Sequence, residues 1–223
     1  KSYHRDKDYR KLEAMYKNMF QKRVNLAQRF AKKGRVLDVG ASNGGLLDIL
    51  KKEGWETWGV EPSKNALIAK KKGHKIFKDY FEKVELPEAS FDLVTFNHTL
   101  EHMDEPLAVL KKVGSLLKKG GTLFVDVPNR GGLSAKVLGK RWPYLLPNEH
   151  KWQFTRQSLT NLFRKAGFTV VHFESRSGIF EYENPLQELG RKRFVIDILT
   201  FPYALVVTLL SVGDSMSLVG KKK

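Results

Sequence analysis

The chain has 223 residues, a length that suits one α/β domain with a modest insertion and is short for two. Hydrophobic residues make up 41%, enough for a core, and the absence of cysteine excludes disulfides, thiolate metal sites and a cysteine nucleophile. A net charge of +16 attracts nucleic acid or anionic membranes. However, most lysines lie at predicted helix C-termini, where the helix dipole favours them without any partner. The polar first ten residues predict no secretory signal and a cytoplasmic location.

Apolar periodicity and glycine positions divide the chain into alternating helices and strands. The predicted strands are 35–39, 55–60, 75–78, 91–96, 122–127, 168–174 and 216–219, and the predicted helices are 8–33, 46–53, 63–72, 106–118 and 155–166. Residues 131–152 form a long connection without a clear period. Alternating strands and helices predict a parallel sheet with right-handed crossovers.

The first candidate binding site is the glycine-rich turn after the first strand. Ser42 replaces the middle glycine of a dinucleotide-binding turn, and Asp38 places a carboxylate just before the turn, which favours a cationic ligand over a pyrophosphate. S-adenosylmethionine (SAM) carries a sulfonium and an ammonium and no phosphate. An ordinary strand–turn–helix corner is the alternative. The candidate residues are Asp38, Gly40, Ala41, Ser42, Asn43 and Gly44.

Two more acids follow the second and third strands. Glu61, followed by Pro62, lies where a carboxylate accepts hydrogen bonds from both ribose hydroxyls. Asp79 can accept a hydrogen bond from an adenine amino group, with Tyr80 covering the ring. A solvated loop acid is the alternative at each place. Together with the glycine turn, Glu61 favours ribose binding.

Polar residues 97–102 follow the fourth strand, at the edge where α/β sheets bind ligands. His98 is a candidate general base for a substrate hydroxyl. His98, Glu101 and His102 also suit a divalent cation, but we favour a loop-bracing role for the last two. His150, in the long loop, is the second candidate base, and anchoring that loop is its alternative role.

Five segments together resemble the class I SAM-dependent methyltransferases, particularly the ubiquinone-biosynthesis O-methyltransferases. They are VLDVGASNG (36–44), GVEPS (59–63), SFDLVTFNHTLEHMDEP (90–106), LLKKGGTLFVDVPN (116–129) and EHKWQFTRQSLTNLFRKAGF (149–168). The resemblance implies a doubly wound, Rossmann-like, seven-stranded α/β sheet, mostly parallel with an antiparallel last strand.

The same resemblance implies SAM as the cofactor. The glycine turn would hold its methionine part, Glu61 the ribose, Asp79 with Tyr80 the adenine, and Asn97 with His98 the methyl end. In the ubiquinone enzymes a glutamate thought to help bind a metal stands at the position of His98. Because histidine stands here, we assign no metal ligand.

Residues 1–223 are expected to form one domain, with an N-terminal helical segment (1–33) and a helical insertion (178–214) before the last strand. The stretch 194–212 is strongly apolar, but its length is at the lower limit for a membrane span and it contains Asp197 and Pro202. A helix packed on the domain or in a dimer contact is favoured, and peripheral membrane contact through 191–212 is the alternative. Arg191, Lys192 and Arg193 would suit anionic headgroups there.

The predicted activity is methyl transfer from SAM to a small-molecule acceptor. A hydroxyl of a lipidic, quinone-like or glycan-pathway substrate is favoured, with His98 or His150 assisting deprotonation. A nucleic-acid methyltransferase is the first alternative, but the Asn/Asp-Pro-Pro-aromatic motif of amino-base enzymes is absent after the fourth strand. A non-catalytic SAM-binding protein is the second. Both a monomer and a homodimer remain open.

Overall fold

The computed structural model describes residues 13–185, 187 and 194–223, with the side chains of 194–197 left out of the description. The helices are α1 (Glu13–Gln28), α2 (Gly45–Lys52), α3 (Ala66–Lys71), α4 (Pro106–Leu116), α5 (Leu133–Leu138), α6 (Arg156–Lys165) and α7 (Phe194–Leu209). The strands are β1 (Arg35–Val39), β2 (Glu56–Val60), β3 (Lys75–Phe77), β4 (Phe91–Asn97), β5 (Leu117–Pro128), β6 (Phe168–Arg176) and β7 (Ser215–Lys222). Short 3₁₀ turns lie at 81–83, 100–102, 139–141 and 178–181.

The seven strands form one sheet in the order β3-β2-β1-β4-β5-β7-β6. β7 runs antiparallel to both of its neighbours, and the other strands run parallel to one another. The doubly wound sheet with an antiparallel last strand is therefore confirmed. After β3 the chain crosses to the other side of β1, so the strand order reverses between β1 and β4. Ligands of such sheets bind above the carboxyl ends of the strands at that point.

Helices cover both faces of the sheet, because successive side chains of each strand point to opposite faces. Val36, Leu93 and Phe124 pack with the apolar side chains of α1 and α2 on one face. Leu37 and Val94 belong to the cluster on the other face, which includes side chains from α4 and α6. Buried strands of this kind hold the residues at their carboxyl ends in fixed positions.

Several element boundaries differ from the predictions. The helix expected over 63–72 begins at Ala66, because the Ser63 hydroxyl accepts a hydrogen bond from the Asn65 N–H in a local turn instead of capping the helix. The cap predicted at Thr155 is confirmed, with reciprocal bonds between Thr155 and Ser158. The connection 131–152 contains α5, which the absence of a clear period concealed.

Antiparallel pairing extends the last two strands beyond their apolar centres. β6 continues to Arg176 and β7 spans Ser215–Lys222, since their paired backbones make ladder hydrogen bonds whatever the side chains are. At the other end of the chain, α1 occupies part of the predicted helix 8–33, of which 8–12 lie outside the described residues. α7 lies within the predicted insertion 178–214, and the assignment of 1–223 to a single domain stays a prediction.

Candidate cofactor and active site

A cavity of about 810 Å³ opens above the carboxyl ends of β1, β2 and β4. Its floor is formed by the turns that follow these strands. One wall comes from the first turns of α1, and others come from the loop 144–151 and the short segment 178–182. Among the predicted cofactor-binding residues, those that line it are Asp38, Gly40, Ala41, Ser42, Asn43, Glu61, Pro62, Tyr80, Asn97 and His98.

The glycine turn is held against β2 by its own backbone. The N–H groups of Gly40 and Ala41 both donate to the Val60 carbonyl, at 2.8 and 3.1 Å. Gly40 has a φ of +80°, and a Cβ there would lie 2.4 Å from the Thr99 hydroxyl, so only glycine fits. Ser42, at the place of the expected glycine, also has a positive φ of 46°. The turn keeps the shape of a glycine turn despite the serine.

Asp38 lies at the base of the cavity and is almost completely buried. Its Oδ1 accepts a 2.7 Å hydrogen bond from the Thr95 hydroxyl. Burial raises the pKa of Asp38 to about 7, the charge of Glu61 adds to this, and the Thr95 bond opposes it. Within the described part of the chain, no Lys, Arg or His forms a salt bridge with this carboxylate. A cationic ligand would supply the missing charge.

Glu61 connects the glycine turn to the loop after β2. Its Oε2 accepts from the Ser42 N–H and its Oε1 from the Ser63 N–H, both at 2.8 Å. A carboxylate oxygen accepts more than one hydrogen bond, so both oxygens retain lone pairs for ribose hydroxyls. The loop-bracing role and the ribose-binding role of this acid are therefore compatible.

The predicted adenine site is only partly assembled. Tyr80 lines the cavity with a largely exposed ring, and the buried Phe81 beside it also contributes to the wall. Asp79 is exposed, its Oδ1 accepts from the Tyr80 N–H at 2.7 Å, and it does not line the cavity.

Gly44, at the end of the glycine turn, also lies outside the cavity wall, and a Cβ at this position would lie 2.9 Å from the His74 ring. A glycine is therefore required at position 44 by packing at the start of α2.

His98 lies between two buried carboxylates. Its Nδ1 is 3.4 Å from Glu101 Oε1, and its Nε2 is 3.4 Å from Asp126 Oδ1. The backbone at His98 has a φ of +52°, and its N–H donates to the Asp126 carbonyl at 2.8 Å. The side-chain oxygen of the neighbouring Asn97 is buried without a hydrogen-bond donor, so it is available to a ligand ammonium.

His150 lies on the other side of Glu101, with its Nε2 3.9 Å from Glu101 Oε1. Its Nδ1 is 2.9 Å from the Tyr144 carbonyl, which only accepts, so Nδ1 carries the proton and Nε2 keeps its lone pair. Burial lowers the pKa of His150 further than the charge of Glu101 raises it. The two predicted bases are thus brought together around one acid, and His150 is neutral near pH 7.

Glu101, His102 and His150 each offer a ligand atom within 4.8 Å of the others. The His102 Nδ1 donates to the Glu149 carbonyl at 2.8 Å, which leaves Nε2 as its lone-pair atom. Both oxygens of Glu101 are buried without a hydrogen-bond partner. This donor set fits a divalent cation, although no metal ligand was assigned from the sequence. The Glu101 backbone carbonyl accepts from the Trp152 N–H at 3.1 Å, and the bracing role of the side chain stays a prediction.

A family model described as a methyltransferase domain matches residues 11–173. The chain belongs to this family. It is a class I, SAM-dependent methyltransferase, and SAM is its cofactor.

Named relatives agree with this assignment, and solved structures share the fold. The ubiquinone biosynthesis O-methyltransferase of Marinobacter nauticus is 32% identical over 69% of this chain and 69% of that protein. Its counterpart from Xanthomonas campestris is 36% identical, but the match spans 47% of this chain and 48% of the relative. A SAM-dependent methyltransferase structure from Thermotoga maritima is 24% identical with a TM-score of 0.68, covering 97% of this chain and 95% of that one. Another, from Mesorhizobium loti, is 15% identical with a TM-score of 0.66, covering 92% and 98%.

An ion-pair network that the sequence did not predict supports one side of the methyltransferase cavity, which its members Arg23 and Glu181 line. Asp126, at the end of β5, accepts from Arg23 Nη2 at 3.1 Å and from Arg176 Nη2 at 2.6 Å. Arg23 also donates to Glu181 at 2.9 Å. Burial alone would raise the pKa of Asp126, but the two guanidinium groups outweigh it and hold the pKa below its usual value. The network joins α1, the end of β5 and the segment 178–182 around the cavity.

Proposed function

We propose that the methyltransferase transfers the methyl group of SAM to a hydroxyl of a small molecule, and among the lipidic, quinone-like and glycan-pathway substrates expected from the sequence we favour the first two. The observation that carries this proposal is the pair of imidazoles, His98 and His150, that line the same cavity as Asp38 and Glu61. A hydroxyl nucleophile benefits from a base, whereas an amine does not require one. The Marinobacter and Xanthomonas relatives, which are named O-methyltransferases, support the same acceptor atom.

The chemistry follows from this arrangement. The hydroxyl oxygen attacks the methyl carbon in line with the sulfonium, so a carbon–oxygen bond forms while the carbon–sulfur bond breaks. The sulfonium becomes a neutral thioether, and the hydroxyl proton passes to the lone pair of an imidazole. The enzyme contributes mainly position and exclusion of water, because the methyl donor is already activated. Glu101 lies where it stabilises the imidazolium that forms.

The acceptor side of the cavity has an apolar wall. Met15, Met19 and Phe20 of α1 contribute to it, and Leu146 contributes from the loop 144–151. A cavity of about 810 Å³ is large for a small cofactor alone, which leaves room for a ring-sized acceptor. An apolar wall beside a few polar groups favours a lipidic ring over a sugar or a nucleobase.

The test begins with calorimetric titration by SAM and by its demethylated product. Lipid and polar extracts are then incubated with the enzyme and SAM carrying a trideuterated methyl group, and labelled products are identified by mass spectrometry. A labelled ether or ester in the lipid extract supports the proposal. Labelled amines or labelled RNA would contradict it, and binding without any labelled product would identify a non-catalytic SAM-binding protein.

Peripheral contact with a membrane through 191–212 is part of the same proposal, because it would bring the cavity to a lipidic acceptor. Residues 191–193 lie outside the described residues, whereas α7 is described. No helix in the described ranges is long and apolar enough to cross a bilayer. A monomer and a homodimer are both compatible with this arrangement, and sedimentation distinguishes them.

A further inference from the structure

One side of α7 is apolar and faces solvent. Leu199 is 73% exposed and Leu209 is 75% exposed, whereas Ala204 and Val207 are buried. The other large apolar side chains exposed on α7 and just after it are Ile198, Phe201, Tyr203, Val206 and Leu210. The sequence from 198 to 213 contains no charged residue. This apolar face is larger than the scattered leucines of an ordinary surface.

A second exposed apolar element, α5, carries positive charge as well. Val137 is 75% exposed, and Leu133 and Leu138 are also exposed. Lys136 and Lys140 lie between or beside them, also exposed. Residues 133–141 contain no acid and include a third cation at position 141. Cations interleaved with aliphatic side chains are typical of segments that lie on anionic membranes.

The start of α5 is fixed to the residues that follow α7. The N–H of Leu133 donates to the Val212 carbonyl at 2.8 Å, and the Asn129 side-chain amide donates to the Gly213 carbonyl at 2.8 Å. The hydroxyl of Ser134 donates to the Asp214 carboxylate. The start of α5 is therefore attached to the residues that follow α7. We call the exposed apolar and basic residues of 133–141 and 198–210 the α5–α7 surface.

Both halves of this surface also support the cavity wall. The loop after α5 contributes Tyr144 to the cavity. The segment 178–182, which contributes Gly178, rests on α7, where the rings of Phe180 and Phe201 lie 5.7 Å apart. An acceptor that left a bilayer beside the α5–α7 surface would therefore meet the cavity between these two segments.

We propose that the α5–α7 surface docks the methyltransferase on an anionic lipid bilayer. This rests on the proposed lipidic acceptor and extends it. The lysines of α5 supply the positive charge that the described side chains of α7 lack. Charge complementarity selects the occupant. A symmetric dimer through this surface would bring the same cations twice into one interface with no acid from 133–141 or 198–213 to neutralise them, which is unfavourable, whereas anionic headgroups neutralise them. The net charge of +16 acts in the same direction.

The test is flotation of the full chain with vesicles of phosphatidylcholine alone and with one third phosphatidylglycerol. We expect binding to the anionic vesicles that weakens as salt is raised. Lys136→Gln and Lys140→Gln should each weaken the affinity for anionic vesicles about fivefold, because one lysine near an anionic membrane surface contributes about a factor of five. Val137→Glu and Leu209→Glu should abolish it. Leu67→Glu is the matched control, because Leu67 is an apolar side chain, 50% exposed, on α3.

Calorimetric SAM binding verifies that each variant is folded. Absence of vesicle binding, or equal losses in Leu67→Glu and Val137→Glu, overturns the proposal. Equal binding to neutral and anionic vesicles also overturns it, because the cations would then contribute nothing. A concentration-dependent dimer that Val137→Glu dissociates would assign the surface to a second copy instead. Vesicle binding without a labelled lipid product would contradict the proposed acceptor and leave the docking surface supported.

Discussion

Replacing Asp38 by asparagine should weaken the binding of SAM and stabilise the ligand-free protein. Asp38→Asn keeps an oxygen for the Thr95 hydroxyl but removes the charge. A hydrogen bond to a charged group contributes about 1.5–3 kcal/mol, so SAM should bind about 10- to 100-fold more weakly. Glu88→Gln, which removes the charge of an exposed loop residue that does not line the cavity, is the control and should leave binding unchanged.

The stability effect follows from the raised pKa. An aspartate in the unfolded chain titrates at about 3.9, whereas Asp38 in the folded protein has a pKa of about 7. Between these values the folded state holds a proton that the unfolded state has lost, so stability falls as pH rises from about 4 to 7. At 1.36 kcal/mol per pH unit, the ionised group costs the ligand-free protein roughly 4 kcal/mol above pH 7.

Asp38→Asn should therefore raise the Tm of the ligand-free protein at about pH 8 by roughly 10 °C. The gain in the free energy of unfolding of Asp38→Asn over the wild type should shrink to between about 1 and 2 kcal/mol at about pH 5, where Asp38 is protonated in the folded wild type. Scanning calorimetry at the two pH values measures both. A lower Tm for Asp38→Asn at pH 8 would refute the argument.

The same pKa predicts proton release when SAM binds. Since the cationic ligand favours the ionised carboxylate, about 0.9 proton should leave per SAM bound near pH 6 and about 0.5 near pH 7. Titrations in buffers of different ionisation enthalpy measure this number. Asp38→Asn should release none, and a wild type that also released none at pH 6 would show that Asp38 is already ionised.

Three further variants test the rest of the site. Glu61→Gln has one acceptor oxygen in place of two and should weaken the binding of SAM about 10- to 100-fold, measured by calorimetry. Unchanged affinity for SAM would show that Glu61 only braces the loop. Asp126→Asn removes the buried anion that both guanidinium groups share, whereas Arg23 keeps Glu181 and Arg176 keeps Glu174. It should lower the free energy of unfolding by about 1.5–3 kcal/mol in urea; a loss below about 1 kcal/mol would show that the remaining acids compensate for Asp126. His150→Gln should lower kcat about 10²- to 10⁴-fold with SAM affinity unchanged, measured on the acceptor that the labelling screen identifies. Because burial lowers the pKa of His150 from 6.5, wild-type activity should fall only below that pH, and an acid limb above it would exclude His150 as the base.

The positions of the two acids that we propose to bind SAM could be predicted, because they depend on local sequence and on one general property of parallel sheets. Asp38 and Glu61 lie at or just beyond the ends of neighbouring buried strands, and those ends meet at one edge. His98 follows the next strand in the sheet and reaches the same cavity. In each case a short apolar run determines the strand, and the strand determines where the next polar residue lies.

Other features could not be predicted because they depend on where side chains point or on distant partners. Asp79 follows its strand as expected but faces solvent, bound to the N–H of its own neighbour. Arg23 and Arg176 lie 103 and 50 residues from Asp126 along the chain, and no local pattern relates them. Helix α5 was missed because six residues give too little periodicity to recognise.

The amino-acid sequence by itself determined the α/β class, the alternation of strands and helices, the glycine turn and the methyltransferase family, because each depends on short segments of contiguous residues. Only the tertiary structure decided that His98 and His150 share Glu101, that Arg23 connects α1 to β5, and that the start of α5 is attached to the residues after α7. Such contacts depend on the sheet order, which brings distant segments within a few ångströms of one another. Local propensity carries no information about that order, so the contacts among His98, Glu101 and His150 became visible only after the chain was folded.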